Sequence, residues 1–490
     1  MTRAAAPRVR LLQRWPSAAA LGAAALYAAE LALASPYRHA FELDRDEGIN
    51  AGKARLLAHG YALYTPVWND QPPLFTHVLR HWLDWCGWSI ESGRMLVLLF
   101  AAVLVFAIYD LTRLEADHRA ALVAVAALAA SAFVPRLSLS LMIGLPSIAL
   151  AALALWALFR WRHAGGAAWL LAAGALFGAS LAIKLFTAFL LPLFALWIIA
   201  VAPRPSDRWR AATLWATSAL VCGAALILAL GGRDALPQLF EPHLAARAAP
   251  LLQRFNAAGV LVTGRIEWPL TLLAWPSFGW MLWRARGALL IFPAWGLTAL
   301  IALLDHAPVW YHHQLLLSVP YAPAIGVCLA GLARGGGAQA PRRRRIERSL
   351  GYGGIAAIAS LAVYRVFLTP AGPQPDPRES IVAAVRAHLG VQGVALTTDP
   401  MYAFRAGAAA PPALAVLSLK RVATDPELSA TIEATFADHP PEVVALGAGL
   451  EGVDAALTHA MGDRYRAVFH SDAGEAVTVF ARRDDGAVAP

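Results

Sequence analysis

The stretch that decides the fold is AAWLLAAGALFGASLAIKLFTAFLLPLFALWIIAVA, at residues 167–202. Lys184 is the only charged residue in these roughly 36 positions. An α-helix needs about 20 mainly apolar residues to cross the hydrocarbon core of a bilayer. The stretch is therefore long enough for two membrane-spanning helices, with Lys184 at the junction between them.

The rest of the chain is similarly apolar. Of its 490 residues, 58% are hydrophobic and 15% are charged, whereas an ordinary soluble domain has about 25% charged residues. A single soluble globule is therefore excluded. Apolar runs of spanning length predict about eleven transmembrane helices, near 15–35, 92–111, 120–134, 140–159, 167–183, 185–202, 211–230, 267–283, 287–304, 314–332 and 350–369.

The arginines between these runs predict how the chain is oriented. Short loops rich in Lys and Arg stay in the cytoplasm. With a cytoplasmic N-terminus, the loops on the cytoplasmic side carry 19 arginines, including Arg3, Arg8, Arg10 and Arg14 and six more at 333–348. We expect a multi-pass membrane protein with a cytoplasmic N-terminus and an extracytoplasmic C-terminal segment. Because the basic residues are scattered between apolar runs, the net charge of +9 does not indicate nucleic-acid binding.

Two domains follow from this topology. Residues 1–370 form the transmembrane domain, whose long loop at 36–91 lies outside the cytoplasm. The segment 376–490, called the tail below, has 15 acidic and 9 basic residues and also falls outside. We expect it to be a soluble α/β domain that folds on its own and is not catalytic. Its predicted strands are 394–398, 443–446, 465–470 and 476–481, and its predicted helices are 378–390, 426–438 and 451–462.

The loop 36–91 contains candidate catalytic acids. Asp44, Asp46 and Glu47 follow the first predicted span. A carboxylate at the membrane surface can act as a general base when its pKa suits the reaction. The alternative is that these acids only solvate the end of a helix. Further along, Asn69-Asp70-Gln71-Pro72-Pro73 predicts a turn followed by a helix start.

Basic groups fall on the same predicted outer side. A charge such as Lys184 within an apolar stretch is costly and usually functional, although a lysine there can also snorkel to the interface. Arg265, in the loop 231–266 with Arg247 and Arg254, is either an anion ligand or an ordinary loop charge.

A histidine pair lies in the turn DHAPVWYHHQ at 305–314. His312 and His313 could bind phosphate or a metal. Adjacent side chains on a helix point in different directions, so we do not expect a metal site from this pair alone. The polar groups of several loops thus meet at one membrane face, as expected of a site that works on a lipid-linked substrate.

These motifs resemble the GT-C superfamily of polytopic glycosyltransferases, in the branch that includes bacterial lipid A aminoarabinose transferases and protein O-mannosyltransferases. The combination of the acid pair with the QPP motif is more specific than either part alone. The matching residues are Asp46-Glu47-Gly48, Gly60, Tyr61, Tyr64, Gln71-Pro72-Pro73-Leu74, Gly93-Arg94, Lys184 with Pro192, YHHQLLLSVPYAPAIG at 311–326 and, in the tail, ALTTDPMYAFRAGAAAPPALAVLSLKR.

The resemblance implies a GT-C fold and a location in a bacterial inner membrane. It also implies an enzyme that transfers a sugar from a polyprenyl-phosphate carrier to an acceptor hydroxyl, with inversion at the anomeric carbon. The acceptor is a lipid, a glycan or a protein. The implied base is Asp46, with Glu47 orienting the acceptor or assisting and Asp44 in reserve. The implied groups on the donor phosphate are Lys184, His312, His313 and Arg265, and those on the acceptor side of the loop are Asn69 and Gln71.

Two departures from the family's pattern bear on this site. The family often carries Lys before the Pro-Pro pair, where this chain has Gln71. The turn from Pro135 to Ser140 has no carboxylate, although many superfamily members place a second acid there. A metal held by two loop acids is therefore not expected. A divalent metal stays open as an alternative, and no other cofactor is predicted. The three cysteines show no CxxC spacing, which argues against a zinc or redox site.

Two other interpretations compete with the enzyme. A transporter or flippase of lipid-linked sugars would also need many spans and buried charges. Its site would lie near the middle of the bilayer, between repeated halves with broken helices, and the sequence shows neither feature. An inactive family member whose tail binds a partner is the second alternative, and the intact Asp46-Glu47 pair argues against it.

Overall fold

The computed structural model describes residues 17–253, 255–284, 287–335, 341–369, 376–447, 453–472 and 476–483. A helix lies at each of the eleven predicted apolar runs. The bounds of these helices are Ala18–Ala34, Ile90–Glu115, His118–Ala130, Gly144–Ala164, Ala167–Ile183, Leu190–Val201, Arg208–Gly231, Trp268–Arg284, Ile291–Asp305, Leu315–Arg334 and Pro341–Val363.

Six helical segments of the described chain are long and apolar enough to cross a membrane: Ile90–Glu115, Gly144–Ala164, Pro205–Gly231, Gly287–Asp305, Tyr311–Arg334 and Pro341–Leu368. Four shorter apolar helices accompany them. A multi-pass membrane protein is thereby supported, while the number of eleven crossings stays a prediction. The arginines at positions 3, 8, 10 and 14, Arg254, and residues 336–340 of the predicted cytoplasmic loop lie outside the described residues.

Local sequence signals set the ends of these helices. The Asp117 side chain accepts a hydrogen bond from the backbone N–H of Ala120 at 2.8 Å and so begins the helix His118–Ala130. The helix Gly144–Ala164 ends at Gly165, whose φ of 72° is a left-handed value that glycine adopts without strain. The helix Ala167–Ile183 ends directly before Lys184.

Small residues allow close packing between apolar helices. A Cβ atom on Gly178 would lie 2.5 Å from the Ala219 carbonyl oxygen of the helix Arg208–Gly231. Lipid tails are as apolar as leucine, so helices in a membrane gain most from close backbone approach at small residues. This contact joins the helix that ends before Lys184 to the helix that leads into the loop 231–266.

The loop 36–91 is largely helical and packs under the tail. It contains the α-helices Asp46–Ala58, called the loop helix below, and Leu74–Cys86. The second begins directly after Pro73, which confirms the helix start predicted after the Pro-Pro pair. Shorter α-helices lie at Val134–Ser138, Ala235–Ala248, Pro250–Gln253 and Ala257–Ile266, and 3₁₀ helices at Pro36–His39, Leu185–Thr187, Pro205–Asp207, Gly287–Leu290 and Tyr311–Gln314, with a π-helix at Tyr364–Leu368.

The tail contains a four-stranded sheet with helices beside it. The strands are β1 (Ala395–Thr397), β2 (Val443–Gly447), β3 (Tyr465–Ser471) and β4 (Val477–Arg482), in the spatial order β1-β2-β4-β3. β1 pairs parallel to β2, with Ala395 opposite Val443, and the other two pairings are antiparallel. The helices are Glu379–Ala387, Pro400–Ala406, Leu419–Thr424, Leu428–Asp438 and Asp454–Met461, with 3₁₀ helices at Pro412–Leu414 and Gly462–Arg464.

The tail is in close contact with the loop helix. The Arg55 guanidinium donates hydrogen bonds to the carbonyl oxygens of Phe404 at 3.1 Å and Ala408 at 2.8 Å, and lies 4.4 Å from the centre of the Phe404 ring. Gly48 of the loop helix lies against the backbone of Met401, where a Cβ atom would clash. The tail therefore caps the loop, although whether it folds on its own stays a prediction.

Candidate functional site

Glu47, at the start of the loop helix, is fully engaged by the protein. Its two carboxylate oxygens accept hydrogen bonds from Arg94 Nε at 2.9 Å and Arg94 Nη2 at 2.7 Å. They also accept the backbone N–H groups of Leu43 and Leu141, each at 2.7 Å. The residue is buried, and four bonds occupy a carboxylate's usual acceptor positions. These bonds hold the loop on the helix bundle. They leave no lone pair of Glu47 for the hydroxyl of an acceptor substrate, whereas the sequence led us to expect that Glu47 orients this substrate or assists the base.

Asp46, one residue earlier, is in the opposite situation. It is half-buried, and no hydrogen bond to its carboxylate is formed within the described part of the chain. Burial and the negative charge of Asp44 raise its pKa to about 7, against the opposing influence of Lys184 and Lys53. A carboxylate with this pKa can take a proton near neutral pH.

Asp44 lies next to Asp46 and shapes its surroundings. Its Oδ1 atom accepts the backbone N–H of Asp46 at 2.9 Å. Burial raises the pKa of Asp44. Arg136 acts electrostatically on Asp44, donates a hydrogen bond to the Leu43 carbonyl oxygen and lies 5.1 Å from the centre of the Tyr311 ring. Asp44 therefore holds the start of the loop helix and sets the charge next to Asp46.

Lys184 and His312 are brought together as neighbours. The Lys184 Nζ atom lies 3.2 Å from His312 Nε2, and both side chains are buried. The Nδ1 atom of His312 has no hydrogen-bond partner among the described residues. His313 faces another way: its Nδ1 accepts the Trp310 backbone N–H at 3.3 Å, and its ring is nearly perpendicular to that of His312. Lys184 and His312 can thus act on one group, while His313 caps the turn.

Asn69 is buried and its side chain is occupied within the loop. Its Oδ1 accepts a hydrogen bond from Lys53 Nζ at 3.0 Å, and its Nδ2 donates to the Gln71 carbonyl oxygen at 2.6 Å. The same carbonyl accepts the Tyr64 hydroxyl at 2.8 Å. Asn69 and the Gln71 backbone therefore fix the turn before the Pro-Pro pair.

Asp70 is the centre of an ion pair that the sequence did not indicate. Its Oδ2 atom lies 2.7 Å from Nζ of Lys420 in the tail, and that ammonium lies 3.2 Å from His243 Nε2. Burial alone would raise the pKa of Asp70, but Lys420, His243 and Lys53 outweigh it and hold that pKa well below its usual range. Asp70 is therefore an anion in the folded protein.

All three lysines of the chain meet at this site. The chain has 41 Lys and Arg residues, of which only Lys53, Lys184 and Lys420 are lysines. Each acts electrostatically on Asp70, and Lys53 and Lys184 also act on Asp46. We missed Lys53, Asp70, His243 and Lys420 in the sequence. The rarity of lysine was a signal that could have found two of these four, Lys53 and Lys420.

Arg265 lies outside this cluster. It is exposed on the helix Ala257–Ile266, and within the described ranges no hydrogen bond or ion pair joins it to another residue. The structure therefore gives no contact that supports its predicted role at a phosphate. Among the described residues no group of three His, Cys, Asp or Glu side chains is arranged to hold a metal ion.

Part of the chain matches a known protein family, and its fold matches that of solved structures. Residues 70–230 match the family described as dolichyl-phosphate-mannose-protein mannosyltransferase. Among solved structures, ArnT from Cupriavidus metallidurans bound to undecaprenyl phosphate is 14% identical, with a TM-score of 0.63 over 97% of this chain and 98% of that chain. Without the lipid, ArnT gives a TM-score of 0.60 at 14% identity over 94% and 97% of the two chains.

A second solved protein has the same architecture. AglB, the oligosaccharyltransferase of Archaeoglobus fulgidus in complex with an inhibitory peptide and a dolichol phosphate, is 14% identical, with a TM-score of 0.54 over 96% of this chain and 74% of that chain. No curated protein sequence matches the chain. The chain therefore has the fold of ArnT and AglB, and its predicted resemblance to the GT-C glycosyltransferases is confirmed.

Proposed function

We propose that this protein is an inverting glycosyltransferase of the bacterial inner membrane. It moves a sugar from a polyprenyl-phosphate carrier to the hydroxyl of a lipid, glycan or protein acceptor on the extracytoplasmic face. The observation that carries the proposal is the open carboxylate of Asp46, held beside Lys184 while its neighbour Glu47 is saturated. The polyprenyl phosphates in the ArnT and AglB structures support this class of carrier.

Asp46 is the proposed base. In the transfer, the acceptor oxygen forms a bond to the anomeric carbon as the bond from that carbon to the phosphate oxygen breaks. The acceptor proton passes to the Asp46 carboxylate, and the carrier leaves as a polyprenyl phosphate. Attack from the side opposite the leaving phosphate inverts the configuration.

Lys184 and His312 are the proposed groups on the phosphate. Negative charge develops on the phosphate oxygen as the glycosidic bond breaks, and donors already in position lower the barrier. The Lys184 ammonium supplies positive charge, and His312 lies 3.2 Å from it with Nδ1 unpartnered within the described residues. Glu47 and Asn69 serve as positioning residues for the loop, which revises the roles expected of them at the acceptor.

A transfer assay tests this function with the full chain in nanodiscs. Undecaprenyl phosphate carrying radiolabelled hexoses or pentoses is supplied with an envelope extract as acceptor, and label transfer and carrier release are measured together. We expect wild-type turnover with at least one sugar and its loss in Asp46→Asn. Asp84→Asn, a half-exposed acid in the same loop, is the matched control. Movement of the intact labelled carrier across the bilayer of proteoliposomes, without sugar transfer, would contradict the proposal and favour a flippase.

The mass spectrum of envelope glycans with and without the protein then identifies sugar and acceptor. The anomeric configuration of the product, read by nuclear magnetic resonance, tests inversion. A product that retains the configuration of the donor would contradict the single-displacement step and require a second nucleophile.

A further inference from the structure

The tail places one cation beside the loop acids. Lys420 lies on the short helix Leu419–Thr424, which begins after Ser418, whose hydroxyl accepts the Arg421 backbone N–H at 3.2 Å. Arg421 donates to the carbonyl oxygens of Ala413 and Val416 and pairs with Asp425 at 3.0 Å, so the helix is firmly held. The Lys420 side chain is 14% exposed and points away from the tail to Asp70.

Lys420 has donor capacity that its protein partners do not use. An ammonium carries three N–H donors. Asp70 Oδ2 and His243 Nε2 occupy two of them, at 2.7 and 3.2 Å. No third acceptor is found for it in the described part of the chain. One donor is therefore left for a ligand.

The charge of Lys420 also acts on residues that are proposed to bind the donor phosphate. Its positive charge acts on Lys184, His306 and His312. Lys184 is buried and the Lys420 side chain is 14% exposed, so their like charges repel in surroundings of low dielectric. Asp70 neutralises Lys420 from one side. A second anion would relieve the repulsion between Lys420 and Lys184.

We propose that Lys420 is a phosphate-binding residue supplied by the tail, acting with Lys184 on the phosphate of a lipid carrier. This inference rests on the proposed function and extends it, since the tail then completes the site. It revises the expectation that the tail contributes nothing to the chemistry. His243 is the positioning residue for the ammonium, whereas the Asp70 carboxylate competes with the phosphate for it.

The test measures affinity for undecaprenyl phosphate, with undecaprenol as the phosphate-free probe, on the full chain in nanodiscs. A hydrogen bond to a charged group contributes about 1.5–3 kcal/mol, so Lys420→Met should weaken binding of undecaprenyl phosphate about 10- to 100-fold. Undecaprenol binding should not change. Lys420→Arg should restore part of the affinity, and Arg466→Ala, which removes an exposed tail cation, is the matched control.

Asp70→Asn separates a phosphate ligand from a structural ion pair. If Lys420 binds phosphate, removing the competing carboxylate leaves the cation in place, and the affinity for undecaprenyl phosphate should equal or exceed that of the wild type. If the pair only holds the tail on the loop, Lys420→Met and Asp70→Asn should weaken binding equally, and the inference is overturned. Thermal unfolding of both variants checks that each is folded.

The role of Lys420 and the use of a lipid-phosphate donor can be disproved independently of each other. Wild-type affinity in Lys420→Met, with weak binding in Lys184→Ala, overturns the role of Lys420 and leaves the lipid-phosphate donor standing. Equal binding of undecaprenyl phosphate and undecaprenol by the wild type removes the phosphate site altogether, and with it both proposals.

Discussion

The Nζ atom of Lys420 lies 2.7 Å from Oδ2 of Asp70, across 350 positions of the sequence. The two side chains are 14% and 13% exposed, so water reaches the pair only partly. Lys53 acts on the same acid from the loop helix, where its Nζ is bound to Asn69. Asp70 therefore interacts with a cation of the loop, Lys53, and with a cation of the tail, Lys420.

Asp46→Asn should remove most of the turnover. General-base catalysis contributes about 10² to 10⁴ in rate, and we expect a loss in this range with carrier affinity nearly unchanged. The measurement is sugar transfer by the purified variant, with undecaprenyl phosphate binding in parallel. The Asp44→Asn/Asp46→Asn double variant excludes a substitute base. Wild-type rates in this double variant would mean that the loop acids are structural.

Turnover should rise as the pH increases through about 7. The pKa of Asp46 is about 7, because burial and Asp44 raise it. Below that pH the carboxyl is protonated and cannot accept the acceptor proton, whereas above it the carboxylate is available. Asp44→Asn removes the neighbouring negative charge, so its pH profile should shift to lower pH. A profile of kcat/KM against pH for both proteins checks this, and an unshifted profile in Asp44→Asn would contradict it.

Glu47→Gln should lower the stability of the folded protein, beyond any effect on the rate of sugar transfer. Removing one partner of a buried ion pair typically costs about 3–5 kcal/mol, and here Arg94 would lose its bidentate partner. We expect a clearly lower Tm in nanodiscs. Asp46→Asn, one residue away and without hydrogen bonds to its carboxylate among the described residues, should retain the wild-type Tm. Equal Tm values in the two variants would contradict the structural role of Glu47.

Lys184→Ala should weaken both donor binding and turnover. Its ammonium is proposed to touch the phosphate, and a hydrogen bond to a charged group contributes about 1.5–3 kcal/mol. The dissociation constant for undecaprenyl phosphate should rise about 10- to 100-fold. Arg284→Ala, which removes an exposed cation at the end of the helix Trp268–Arg284, should bind as the wild type does. A change in turnover with no change in affinity would place Lys184 away from the phosphate.

Reporter fusions test the predicted orientation. A reporter that is active only outside the cytoplasm should be active when fused at Ala410, in the tail, and inactive at Gln339, in the 333–348 loop. The arginine asymmetry of the short loops is the reason for this expectation. The opposite result would move the site to the cytoplasmic face and overturn the proposed location of transfer.

The apolar runs and the tail pattern were readable from sequence because each reports a local property. All four predicted strands and the three predicted helices of the tail occur within a few residues of their predicted bounds. Asp46 and Lys184 were found because a charge beside an apolar run is conspicuous. Their relation to Lys420 was not readable, since nothing local to the helix Leu419–Thr424 says that it faces Asp70.

The role of Glu47 also depended on distant residues. Arg94 belongs to the next span, and the Leu141 backbone N–H comes 94 positions later. Sequence identifies two adjacent acids of equal chemistry, and tertiary contacts decide that one is saturated and the other is open. Asn69 shows the same limit, because its partner Lys53 is buried only once the loop has folded.

The contact of Arg55 with the tail has a consequence for how the protein matures. Its guanidinium binds carbonyl oxygens that lie 349 and 353 positions later, at Phe404 and Ala408. Synthesis proceeds from the loop to the tail, so these acceptors are made long after the loop has been inserted. Through most of translation the loop therefore lacks the surface that covers it, and a nascent chain cannot carry the assembled site until the tail has been made and has docked on the loop.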